Sequence, residues 1–145
     1  MLENLLIGLS TMTVCLLLQA TLMTAALRHY TNHESLVNSP SAWTTLLVIS
    51  VVMILLVIGN LGQLFIWALV FQFLGEFTTL REAVYHSAVN FATLGYGDIV
   101  MSEQHRLLGP LEAINGVLMI GVSTAALITA FQDALRKTYQ ARHEP

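Results

Sequence analysis

Two long apolar runs, Asn4 to Leu27 and Trp43 to Phe73, contain no Asp, Glu, Lys or Arg. Each exceeds the about 20 residues that a helix needs to cross a hydrocarbon core roughly 30 Å thick. A third run, Leu111 to Phe131, carries only Glu112 near its start and closes at Gln132-Asp133. The pattern predicts three membrane-spanning helices, the second longer than the bilayer is thick and therefore tilted.

The polar stretches between the runs predict how they are joined. Arg28 to Ser35 and Asn38-Ser-Pro-Ser read as a connector, with Pro40 ahead of the next helix at Ser41 or Trp43. After the second run Gly75 is a stop, and Thr79-Leu-Arg-Glu82 has capping-box spacing. The Thr79 hydroxyl would accept from the Glu82 N–H, and the Glu82 carboxylate would return to Thr79. The helix so started, Leu80 to Phe91, is too short to span a bilayer and must stop partway. The chain then passes Ala92-Thr-Leu-Gly-Tyr-Gly-Asp-Ile-Val100 and the polar Ser102 to Arg106. It re-enters a helix at Gly109-Pro110, where proline's missing N–H costs nothing.

Long helix, half helix, loop and long helix form a re-entrant hairpin. Non-helical backbone at membrane depth survives only where protein buries it or where it lines a watery cavity. The expected fold is an all-α integral membrane protein with three transmembrane helices, a re-entrant pore helix and a filter loop. Its parts are an N-terminal helix and connector over 1–42, a pore domain over 43–135 and a short tail over 136–145. Within the pore domain the outer helix covers 43–74, the pore helix 80–91, the filter 93–98 and the inner helix 110–135.

The loop's chemistry suits a cation. Gly95 and Gly97 open backbone angles closed to other residues, so carbonyls from Thr93 to Tyr96 can turn toward one axis. Such oxygens suit a monovalent ion, whereas selecting a divalent one calls for a carboxylate ring, and the only nearby acid, Asp98, lies beyond the glycines. The short helix ends at the loop, where its partial negative charge favours a cation.

Thr93-Leu94-Gly95-Tyr96-Gly97-Asp98 resembles the potassium-channel signature. Gly116 to Phe131 is similar to the inner helix of small bacterial tetrameric potassium channels, where a hinge glycine, a second glycine and a Thr-Ala-Ala-Leu run follow in order. The resemblance covers roughly Trp43 to Leu135 and leaves the first span as an addition. It implies a homotetramer whose K+ sites are formed by Thr93, Leu94, Gly95 and Tyr96, with Gly97 and Asp98 at the outer mouth. It also implies K+ as the permeant ion, with no cofactor. Leu94 stands where Val or Ile is usual, its side chain expected in the pore-helix packing. Tyr85 and His86 stand where the family often has two tryptophans. They are expected to brace the filter, with the Tyr85 hydroxyl on Asp98 and His86 on the Tyr96 hydroxyl. Val89 replaces a pore-helix glutamate, removing that carboxylate pair.

On the last helix Val117, Ile120, Thr124, Ile128 and Phe131 recur at steps of three and four. The resemblance turns this stripe toward the pore as cavity wall and gate, with Gly116 the hinge and Gly121 a second flexible or closely packed point. Asn60 and Gln63 in the second span are expected to hydrogen-bond between helices. Ser10, Thr13, Thr21 and Thr24 suggest the face by which the first helix docks.

Composition narrows the picture further. At 55% hydrophobic and 10% charged residues the chain does not read as a soluble domain. The stretch before the first run has no basic residue, which argues against a cleaved leader. One cysteine, Cys15, gives no disulfide framework. Of five histidines only His29 and His33 have helical metal-ligand spacing, with Glu34 the sole acidic neighbour, too little for a metal site. No basic patch suggests nucleic acid, and no nucleophile–base set or phosphate loop suggests an enzyme. No arginine-rich helix offers a voltage sensor.

Filter polarity in the family puts the N-terminus outside and the C-terminus in the cytoplasm, as in a bacterial inner membrane protein. Arg28, Arg136, Lys137 and Arg142 inside, against Arg81 and Arg106 outside, agree with the positive-inside rule. Arg136 and Lys137 are expected to meet headgroups, including anionic lipid. Two other readings stay open: a poorly selective cation pore, and a non-conducting membrane subunit.

Overall fold

The computed structural model describes residues 1–33 and 42–143, among which there are four helices and no strand. They are α1 (Leu2–Asn32), α2 (Ala42–Phe73), α3 (Leu80–Phe91) and α4 (Leu108–His143). Three of them, α1, α2 and α4, are long and apolar enough to cross a membrane. The first part of the expected connector, Arg28 to Asn32, instead continues α1 as helix; the part with Glu34 and Pro40 lies outside the described residues.

Local chemistry sets the helix ends. α2 stops at a Schellman motif: Glu76 N–H bonds Phe71 O and Gly75 N–H bonds Gln72 O, both at 3.1 Å, with Gly75 at φ 75°. Thr79 caps α3 and its hydroxyl accepts from Glu82 N–H at 3.2 Å. Half of the expected capping box is replaced, because the Glu82 carboxylate takes the Thr78 hydroxyl at 3.1 Å rather than returning to Thr79.

The last helix is longer than the apolar run on which it was placed. It starts at Leu108, with Pro110 still in its first turn, and continues through residues 136–143, expected as a tail. No glycine or proline interrupts that stretch. Asp133 supports it through Arg136 at 3.1 Å and Lys137 at 2.8 Å, spacings that favour a helix.

The chain divides into two compact units. One comprises residues 1–19 and 60–120. Its core is Cys15, Trp67, Ala68, Phe71, Phe77, Ala83 and Leu108, with His86 edge-on to Phe71 and tilted against Phe77. Here α1 docks through Asn4, Gly8, Thr11, Cys15 and Gln19, which recur at steps of three and four and are all buried. Asn4 donates to Gln104 O at 2.6 Å, Gly8 lies against Leu111, and Gln63 donates to Gln19 at 2.8 Å. Asn115 donates to Gln63 at 3.3 Å, so buried amides join α1, α2 and α4.

The hydroxyl stripe expected to dock α1 is exposed instead. Ser10 bonds Ile7 O, Thr13 bonds Leu9 O and Thr24 bonds Ala20 O, each at 2.8 Å, so these hydroxyls are satisfied on their own helix.

The second unit comprises residues 20–59 and 121–145. Ala26, Tyr30, Val48, Ile49, Val52, Leu56 and Ala134 form its core. The Tyr30 hydroxyl donates to Asp133 at 2.9 Å, and the Thr45 and Thr138 hydroxyls bond at 2.9 Å.

Candidate functional site

The loop after α3 begins with a helix stop made from an unusual residue. Leu94 N–H reaches back to Val89 O and Thr93 N–H to Asn90 O, both at 2.8 Å, which is a second Schellman motif. Its left-handed position is held by Thr93, at φ 58°, where glycine would carry no steric cost. A β-branched residue in this region costs about 1–3 kcal/mol. Gly95 follows at φ 58° and Gly97 at φ 71°, so left-handed residues alternate along the loop. A Cβ on either glycine would meet nothing within 4 Å; the backbone angle is the reason for glycine here.

Residues 92–98 are exposed. Among the described residues nothing donates to the carbonyls of Thr93, Leu94, Gly95 or Tyr96. Leu94, expected in the pore-helix packing, is exposed as well, because the single chain offers no surface that covers it.

Behind the loop, Tyr85 and Asp98 meet: the phenol donates to Asp98 Oδ2 at 2.7 Å. That bond holds the Asp98 carboxyl below its ordinary range and raises the Tyr85 phenol.

His86 does not reach Tyr96. Its Nδ1 lies 2.9 Å from Ile99 O and its Nε2 2.7 Å from Asn90 Nδ2. A carbonyl can only accept and an amide nitrogen only donate, so Nδ1 carries the proton and Nε2 accepts. Both ring nitrogens are thereby committed to α3 and the loop's exit. Burial pushes the imidazole below its ordinary value, against the pull of the Ile99 bond and of Asp98. The buried Val89 contributes through its backbone, as the acceptor for Leu94 N–H.

Glu76, just past α2, secures the rest of the loop. It accepts from Ser102 N–H at 2.6 Å, from the Ser102 hydroxyl at 2.7 Å and from His105 Nδ1 at 2.5 Å. Burial alone would raise this carboxyl; the bonds from Ser102 and His105 outweigh it and hold it low.

Sequence reasoning noted Glu112 but gave it no role. The residue is fully buried and bonded to the Ser87 hydroxyl of α3, which also reaches Leu64 O of α2 at 2.7 Å. A lone acid in an otherwise uncharged span is itself the signal that could have pointed here.

On α4 the stripe Val117, Ile120, Thr124, Ile128 and Phe131 is exposed along the helix. Gly116 passes α3 so closely that a Cβ would run into the Phe91 carbonyl, whereas Gly121 has nothing within 4 Å. Close packing therefore accounts for the first glycine and not for the second.

The His33 ring bonds His29 O at 2.9 Å and stacks on the His29 ring at 4.4 Å. No group of three potential metal ligands occurs among the described residues. The Lys137 ammonium lies 5.4 Å from the Tyr30 ring, while the Arg136 side chain is 69% exposed and so remains open to outside contact.

A family model described as "Ion channel" matches residues 45–133, more than half of the chain. No curated protein and no solved structure matches it.

Proposed function

The chain belongs to the ion-channel family and is a multi-pass integral membrane protein, and on that premise we propose that it is a potassium-selective channel. Four copies would surround one axis, each contributing Thr93 to Asp98 as a filter. Passive K+ flux would pass the carbonyls of Thr93, Leu94, Gly95 and Tyr96. The observation that carries this reading is Thr93 at φ 58°. A threonine kept where glycine would be free of strain supports a use for its hydroxyl at the innermost ion site.

Three features agree with it. Alternating left-handed residues at 93, 95 and 97 favour carbonyls turned to one side. Those carbonyls have no donor among the described residues, which suits oxygens that replace an ion's hydration shell. α3 ends at Phe91, just ahead of Thr93, where its dipole favours a cation.

In this reading α3 is a re-entrant pore helix and α4 lines a cavity with Val117, Ile120, Thr124, Ile128 and Phe131, where an apolar ring would gate by dewetting. The N-terminus lies outside, the C-terminus on the cytoplasmic side of a bacterial inner membrane, and the exposed Arg136 faces anionic headgroups, while Lys137 is held by Asp133 and the Tyr30 ring.

The test is reconstitution. The protein in vesicles should carry K+ in preference to Na+, with block by barium, and Gly95→Ala should abolish the flux. Equal Na+ flux would replace selectivity by a general monovalent pore. A folded tetramer without flux would overturn conduction itself.

A further inference from the structure

Ser87 Oγ stands within hydrogen-bond distance of two acceptors, Leu64 O at 2.7 Å and Glu112 Oε1. A hydroxyl has one proton to give. One proton can serve both only as a shared three-centre bond, weak on each side; two full hydrogen bonds need a second proton from one of the other two groups. A backbone carbonyl has none, so the second proton must sit on the carboxyl. We infer that Glu112 is a structural proton site, a neutral carboxylic acid that donates to Ser87 Oγ while Ser87 donates to Leu64 O.

The surroundings support the inference independently. Glu112 is fully buried, and its Oε2 has no partner among the described residues. The groups that face it are the Cys15 thiol from α1 and Ser87 and Asn90 from α3, with the Leu64 carbonyl of α2 behind Ser87. None is a cation. His86 lies one bond beyond Asn90, with its Nε2 already an acceptor. Asn115, one turn along α4, gives its amide to Gln63, and its own Oδ1 has no partner. A carboxylate in this position would be a buried charge without a counterion, among the most expensive arrangements a fold can carry.

The proton thereby joins three helices. It holds α4 to α3 through Ser87 and, through the same hydroxyl, to the backbone of α2, directly behind the helix that ends at the loop. The inference stands apart from ion selectivity, because the readout below does not involve flux.

Infrared difference spectra of the full-length protein in bilayers at neutral pH, wild type against Glu112→Gln, test it directly. The expected result is a protonated-carboxyl C=O band in the wild type that is lost in Glu112→Gln and displaced in Ser87→Ala. Identical spectra would overturn the inference. Should Glu112→Gln fail to fold, the wild type against Ser87→Ala decides alone: a displaced carboxylic-acid band upholds the site, and its absence or immobility overturns it.

Discussion

The Tyr85 hydroxyl reaches Asp98 across thirteen residues, at 2.7 Å, and ties the helix behind the loop to the loop's far end. A phenol donating to a carboxylate survives only while Asp98 is ionised and Tyr85 is not. The Asp98 carboxyl is held low, so its contribution is present above about pH 3.9 and is lost as pH falls through the lower native value. The Tyr85 phenol is held high, so its contribution is present below about pH 10 and is lost as pH rises through the native value. Tyr85→Phe removes the bond. The Asp98 titration followed by NMR should move up toward the ordinary carboxylate value, and K+ flux should decay faster after activation than in the wild type. An unmoved Asp98 titration would mean that the contact does not persist in the bilayer.

His86 gives a second pH dependence of different origin. Its neutral ring bonds Ile99 O and Asn90, and burial disfavours the charged form. The unfolded chain therefore takes up the proton first. Stability is fully present above about pH 6.5 and declines as pH falls below it. Thermal unfolding of the wild type should lose midpoint temperature between about pH 7 and about pH 5, and His86→Phe should be lower at neutral pH but flatter. Equal slopes would exclude His86 as the titrating group.

What was legible in the sequence follows the range of the interactions concerned. The start of α3 was readable because Thr79 and Glu82 act within one turn, and the loop because Gly95 and Gly97 announce their own backbone angles. The docking face of α1 was misread: hydroxyls that suggest an interface bond their own helix, while Asn4, Gly8, Cys15 and Gln19 face residues more than forty positions away. His86 was placed on Tyr96 because the loop's path is not local, and Ile99 O proves the nearer acceptor. Glu112 stood out as a lone acid, yet nothing near it in sequence named Ser87 as its partner.

The two glycines of α4 predict opposite outcomes. A Cβ at Gly116 would overlap the Phe91 carbonyl, backbone that cannot swing aside, so Gly116→Ala should destabilise by about 1–3 kcal/mol and displace the end of α3. Gly121 has open space around it, and Gly121→Ala gains up to about 1 kcal/mol of helix propensity. Unfolding midpoints of the two variants, measured under the same conditions, check the contrast. Gly121→Ala serves a second purpose: if α4 bends to gate, the stiffer helix should lower open probability without lowering stability.

Thr93 offers the sharpest separation of fold from function. Its φ of 58° closes α3 by a motif that glycine completes without strain, so Thr93→Gly should keep the helix stop and stabilise the native backbone. Part of that gain, about 1 kcal/mol, is lost again to the greater freedom of glycine in the unfolded chain. Thermal unfolding should therefore show a midpoint equal to or above the wild type. Ion binding should move the other way, because the hydroxyl proposed for the innermost site is gone: barium block should weaken at least tenfold, equivalent to about 1.4 kcal/mol of binding. Thr93→Ser keeps the hydroxyl and sheds the β-branch, so it should retain block and show a smaller stability change. If Thr93→Gly binds barium as tightly as the wild type, the strained threonine has no role in holding the ion. If it unfolds more easily instead, the side chain serves the fold, through contacts that only an assembled tetramer would supply.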